Sequence, residues 1–105
     1  MAQIKFRVEF NRHSLQWEPN IEYNKTFLYT QHQYLSQCLK RKGVLFVNEV
    51  LDLLGMERVQ RGVTAGWVAS DDFFTFENVG WNEKTGDVVF DLTAQHDIRS
   101  YLKEG

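Results

Sequence analysis

Apolar residues recur along this chain with two different periods, and the switches between them mark the elements. Ile4, Phe6, Val8 and Phe10 alternate with Lys5, Arg7 and Glu9, the period of a strand with one buried and one wet face. Residues 11–20 carry turn-forming side chains and the sole proline, Pro19. They predict a loop, with Ser14 to Glu18 as a short second strand inside it. From Ile21 to Lys42 the spacing becomes helical, and Tyr23, Phe27, Leu28, Tyr34, Leu35, Cys38 and Leu39 share one arc of the wheel. Lys40, Arg41 and Lys42 oppose the negative end of that helix dipole, and Gly43 supplies a left-handed stop.

The most apolar stretch follows. Val44 to Val47 reads as a short buried extended segment. Asn48 as N-cap, with Glu49 at the first helical position, then starts a short buried helix that reaches Leu54 and stops at Gly55. Residues 56–62 mix charge with glycine and predict a surface loop; Thr64 to Ala69 predicts a strand and Ser70-Asp71-Asp72 its turn. Phe73 to Trp81 and Asp87 to Thr93 are aromatic and β-branched, joined by residues 82–86, whose Gly86 can take the positive φ that closes a hairpin. Thr93 as a further N-cap, with Ile98, Tyr101 and Leu102 at helical spacing, predicts a terminal helix over Ala94 to Lys103. The sum is a single α+β domain over residues 1–105. Its mainly antiparallel sheet of about four strands carries the long helix, the short buried helix and the C-terminal helix, with the last three strands as a meander.

Composition narrows the class without naming a chemistry. With 105 residues, 43% hydrophobic and 14% aromatic, the chain can fill one aromatic-rich core. Twelve basic against 14 acidic residues, a net charge of -2, argue against non-specific attraction to nucleic acid or an anionic membrane. A lone cysteine, Cys38, closes no internal disulfide and suits a reducing compartment. The alternating N-terminus lacks the apolar run of a signal peptide, and no stretch approaches the roughly 20 apolar residues of a membrane span. The expected location is the cytoplasm.

Candidate reactive groups each have a structural account. His13, His32 and His96 lack the spacing that sets two metal ligands on one helix face, and His32 sits at the edge of the apolar arc. Asp71, Asp72, Asp87, Asp91 and Asp97 lack the regular spacing of a cation loop and suit turns and strand ends; Asp91, between Phe90 and Leu92, is expected on the wet face of its strand. Cys38, within the apolar arc, reads as a buried unreactive thiol. No catalytic, metal or cofactor residue is therefore assigned. Two surface features remain. Lys40, Arg41, Lys42, Arg58 and Arg61 form a basic rim that nucleic acid could use. Adjacent Phe73 and Phe74 cannot both enter the core of a half-buried strand, which makes Phe73, Phe74, Phe76 and Trp81 candidates for a protein interface.

The run Gly43-Val44-Leu45-Phe46-Val47-Asn48-Glu49-Val50-Leu51-Asp52-Leu53-Leu54-Gly55-Met56, with Arg58 and Gly66-Trp67-Val68, resembles the signature of a family of small uncharacterised domains from phages, prophages and bacterial mobile elements. The resemblance spans about residues 24–80; Val47 stands where that family usually has Leu, and neither the N-terminal strand nor the hairpin aligns with it. It implies a mobile-element protein with no assigned activity, and its recognisable positions are those of a cap, a core and a turn. The resulting expectation is a non-enzymatic module that binds a protein partner or assembles with itself, with a small nucleic-acid-binding accessory protein as the alternative.

Overall fold

The computed structural model describes residues 2–102 and builds an α+β fold. β1 (Gln3–Phe10) and β5 (Val88–Gln95) pair antiparallel along their whole length, from Gln3 opposite Gln95 to Phe10 opposite Val88. This register puts Phe6, Val8, Phe10, Val88, Phe90 and Leu92 on one face, which α1 (Ile21–Lys42) and α2 (Val47–Leu53) cover. β2 (Val44–Phe46) pairs with β3 (Gly66–Val68), β3 touches β5 at Gly66 opposite Gln95, and β4 (Glu77–Trp81) pairs with β5. All pairings are antiparallel, in the order β1-β5-β3-β2 with β4 beside β5. The expected meander is therefore broken. β3 takes β2 as its main neighbour, while β4 and β5 keep their hairpin around Gly86, at φ 85°, although β4 begins only at Glu77 and residues 73–76, expected within it, form no strand.

The long helix starts and stops where its caps put it. Asn20 accepts a hydrogen bond from the Tyr23 amide at 3.1 Å, and Gly43, at φ 88°, returns its own amide to the Leu39 carbonyl. Its buried stripe is Asn24, Leu28, Leu35, Cys38 and Leu39; Tyr23 and Tyr34, expected inward, are exposed at the rim of that arc.

Four local expectations are corrected. Ser14 to Glu18 is a turn and no strand, because the Ser14 hydroxyl donates to the Leu54 carbonyl (2.5 Å) and the Leu15 amide to that of Gly55. α2 begins two residues earlier than expected, with Phe46 at the N-cap position, and Asn48 lies inside it. Its amide side chain clips the following loop, accepting from the Val59 N–H at 2.9 Å and donating to the Val59 carbonyl at 3.0 Å. Glu49 secures the helix start instead, accepting from the Phe46 amide at 3.1 Å. The C-terminal helix is absent over Ala94 to Leu102: Thr93, Ala94 and Gln95 continue β5 against β1, and only a 3₁₀ turn at Arg99–Tyr101 follows. Pairing with Gln3 to Lys5 outcompetes local helix propensity there. Lys103, the expected end of that helix, lies outside the described residues.

Candidate functional site

The exposed side of α1 presents Lys25, Tyr29, His32, Ser36 and Lys40 as one stripe, since residues three and four apart stack on a helix surface. Opposite it runs the segment from Ala69 to Trp81. Two clefts lie between them, of about 520 Å³ and 510 Å³, and they share His32 and Thr75 as a common saddle. The result is one groove along the helix. Leu28 and Phe90 floor the first part, Leu39 and Phe74 the second.

Aromatic packing fixes this wall. Phe74 is buried edge-on against Trp67, with centroids 4.9 Å apart, and Phe76 rests on Phe90 at 4.5 Å. The His32 ring stands 5.8 Å from both Phe74 and Phe76, so this histidine closes the aromatic cluster rather than facing a second ligand. No backbone–backbone hydrogen bond among the described residues involves 73–76; rings alone hold that stretch. Phe73 points away, at 81% exposure, while Trp81 is 41% exposed under the Lys25 ammonium, 5.3 Å from the ring centre. The four aromatic candidates thus separate. Phe74 is core and presents no contact surface, Phe76 is half-buried in the groove wall, and Phe73 and Trp81 flank the opening. Tyr29, at 67% exposure, and Lys25 belong to the same site and escaped the sequence reading. Their signal was present: both fall on the stripe beside the apolar arc, at spacing that continues to His32.

The basic rim divides. Lys40 lines the groove, whereas Lys42 turns to the flank of α2 and bonds Glu49 at 2.6 Å, which raises its pKa above the ordinary lysine value. Arg58 holds Asp52 through two nitrogens, at 2.9 Å and 2.6 Å, raising its own pKa and lowering that of the carboxylate. Arg41 lies 3.8 Å from the Cys38 sulfur, and Arg61 is exposed in the 3₁₀ turn at Gln60–Val63.

The acidic candidates are tied into the frame. Asp72 accepts from the Val68 amide (2.9 Å) and from Gln95 (2.7 Å), and Asp71 accepts from the Tyr101 hydroxyl at 3.2 Å. Partial burial, followed by that bond, pushes the Tyr101 phenol up. Asp91 corrects an expectation. It does lie on the face away from Phe90, but it is buried there, with Asn78 donating to it at 3.0 Å and Arg7 3.7 Å away. Asn78 reaches it from a left-handed bulge at φ 53° in β4. Cys38 is buried, and His13 and His96 are exposed at separate places on the surface. Among the described residues no three His, Cys, Asp or Glu side chains come together to hold a metal ion, and no helix is long and apolar enough to cross a membrane.

No curated protein and no solved structure matches the chain. A family model does, over residues 6–103, far beyond the stretch that carries the resemblance described above. The chain belongs to the family described as a family of unknown function, DUF6353.

Proposed function

We propose that this protein is a non-enzymatic interaction module that seats a segment of a partner protein in the groove between α1 and residues 69–81. The observation that carries the reading is Phe73, 81% exposed beside the buried Phe74. Its position is continuous with Tyr29, Val79 and Trp81, also exposed, around one concave surface. Clustered exposed apolar groups rimmed by polar ones are a mark of interaction surfaces. Lys25 and Lys40 stand toward opposite ends of the groove and favour a segment with acidic residues flanking apolar anchors. The resemblance of residues 43–56 and 66–68 to a signature from phages and mobile elements adds that the partner is a host or virion protein, met in the host cytoplasm.

The test compares wild type with Phe73→Ser and Tyr29→Ser, each checked for an unchanged melt, in capture from a host lysate. Partners held by wild type and lost by both variants support the groove; an identical captured set refutes it. A second reading, a small nucleic-acid-binding accessory protein, draws on the same groove, where aromatic faces and Lys25 and Lys40 suit stacked bases and phosphates. Salt-dependent quenching of Trp81 by a single-stranded oligonucleotide would favour it. Of the rim beyond Lys40, Lys42 and Arg58 already pair with Glu49 and Asp52, so Arg41 and the exposed Arg61 are what it would add to that reading.

A further inference from the structure

β1 is the long outer edge of the sheet. It pairs with β5 alone, without a bulge or a proline, and no other strand among the described residues bonds its far side. Such an edge offers a row of free amide and carbonyl groups to a further strand. Its side chains sort by face. Lys5, Arg7 and Glu9 are exposed on the face away from the helices, and Phe6 and Val8 turn toward them. On the helix side the edge borders an open groove of about 340 Å³, whose apolar lining includes Leu51, Met56 and Val59.

We propose that this edge pairs antiparallel with β1 of a second copy of the chain, centred on Arg7. Opposed residues in a sheet share a face, so both copies keep their helices on the same side only in registers that oppose odd with odd and even with even. Charge and ladder length then choose among these. Centring on Phe6 sets Lys5 against Arg7, and like charges directly opposite repel. Centring on Val8 sets Arg7 against Glu9 but opposes Lys5 to Asn11, beyond the end of the strand, and so shortens the ladder to Phe6–Phe10. Centring on Arg7 uses the whole span Ile4 to Phe10 and sets Lys5 against Glu9 of the second copy, twice by symmetry. The two Arg7 side chains that meet at the centre each have their own Asp91 at 3.7 Å. On the helix side Phe6 falls opposite Val8, and the apolar groove lining of each copy, Leu51, Met56 and Val59, flanks the incoming strand. Edge charge and ladder length together thus favour one arrangement of a second copy. This surface is separate from the groove of α1 and does not depend on the reading given to it.

Sedimentation velocity up to millimolar concentration tests the proposal. Wild type is expected to dimerise reversibly. Lys5→Glu and Glu9→Lys, each of which turns both symmetric pairs from attraction to repulsion, are expected to weaken the dimer by about 10- to 100-fold. Mixing the two variants sets an acid against a base at both symmetric pairs again and is expected to recover the association as a heterodimer. Amide exchange on wild type needs no variant: protection along β1 should rise with concentration, with Phe73→Ser leaving it unchanged. A wild type monomeric throughout, a dimer indifferent to the charge swaps, or β1 protection independent of concentration would overturn the proposal.

Discussion

The position of Asn48 separates two accounts that have similar magnitudes for alanine and opposite signs for aspartate. As a clip it makes two hydrogen bonds to Val59, at 2.9 Å and 3.0 Å, from a side chain left 8% exposed. Removing both in Asn48→Ala costs about 1–3 kcal/mol, and loss of an N-cap costs about 0.5–2 kcal/mol, so alanine alone decides little. Asn48→Asp decides. A cap tolerates Asp, and a carboxylate in the first turn of a helix gains about 0.3–1 kcal/mol. A clip does not, since Asp keeps the acceptor for the Val59 amide but turns an oxygen on the Val59 carbonyl. The lost bond and the unsatisfied, partly buried group together cost about 2–4 kcal/mol. At about 4–8 °C per kcal/mol for a chain of this size, the melting temperature falls by about 8 °C or more. Gly62 supplies an independent check, because a Cβ there would overlap Asn48 Oδ1 and lie 2.7 Å from Asn48 Cγ, with Val59 Cγ2 further off at 3.1 Å. Gly62→Ala should therefore be costly in wild type and nearly neutral in Asn48→Ala, a coupling of about 1 kcal/mol or more in a double-mutant cycle read by urea unfolding. An Asn48→Asp protein as stable as wild type, or additive Asn48 and Gly62 changes, would refute the clip.

Neighbouring phenylalanines should behave oppositely in urea: Phe74→Ala costs about 3–5 kcal/mol, and Phe73→Ser stays within about 0.5 kcal/mol of wild type. Gly66→Ala should abolish cooperative melting, because its Cβ would overlap the Leu45 carbonyl across the β2–β3 pair and lie 2.8 Å from Ile98 Cδ1. Gly43→Ala, with nothing within 4 Å, should lose only the left-handed backbone cost of about 1–2 kcal/mol. Asp97, bonded by the Arg99 side chain and then its amide, has its carboxyl lowered to about 2. Because the folded value lies below the unfolded one, its contribution is present above about pH 4 and is lost as pH falls toward 2. NMR titration of the Asp97 carboxyl should show this, and Arg99→Ala should raise it only part of the way back, since the residue 99 amide bond remains.

Where a signal in the sequence was local and uncontested, the structure follows it. The alternation of β1, the glycine stop of α1 and the Gly86 hairpin all rest on residues close together in the chain. Each miss comes from a partner distant in sequence. Thr93 has the chemistry of a cap but Lys5 as its cross-strand neighbour, and Asn48 looks like a cap until Val59 returns to meet it. Asp91 alternates as a wet-face residue should, yet Arg7 and Asn78 close over it. The site was half legible for the same reason. Adjacency of Phe73 and Phe74 announces that one must leave the core, but which one is set by Trp67 and His32, and the groove exists only because residues 69–81 fold beside the stripe of Lys25, Tyr29 and His32.

Polar side chains bonded to distant backbone hold most of the loops. Asn24, fully buried, donates to the carbonyls of Glu18 and Gly86 at 2.6 Å and 2.8 Å, and Trp17 reaches the same Gly86 carbonyl at 3.0 Å. Asn48 ties the Val59 loop, and Asp72 the turn after β3. Residues 73–76 lack any such tie, and their amides and carbonyls make no backbone bond among the described residues. The buried ring of Phe74 and the half-buried ring of Phe76 locate this wall, and its main chain makes only the local bond from the Thr75 hydroxyl to the Phe76 carbonyl, at 3.4 Å. A partner that is itself extended could bond that main chain without breaking an existing bond, and its side chains would meet Phe73 and Tyr29 on either side. A helical partner keeps its amides and carbonyls for itself and gains only the apolar contacts. If the groove seats a partner as proposed, an extended segment is therefore expected there in preference to a docked helix.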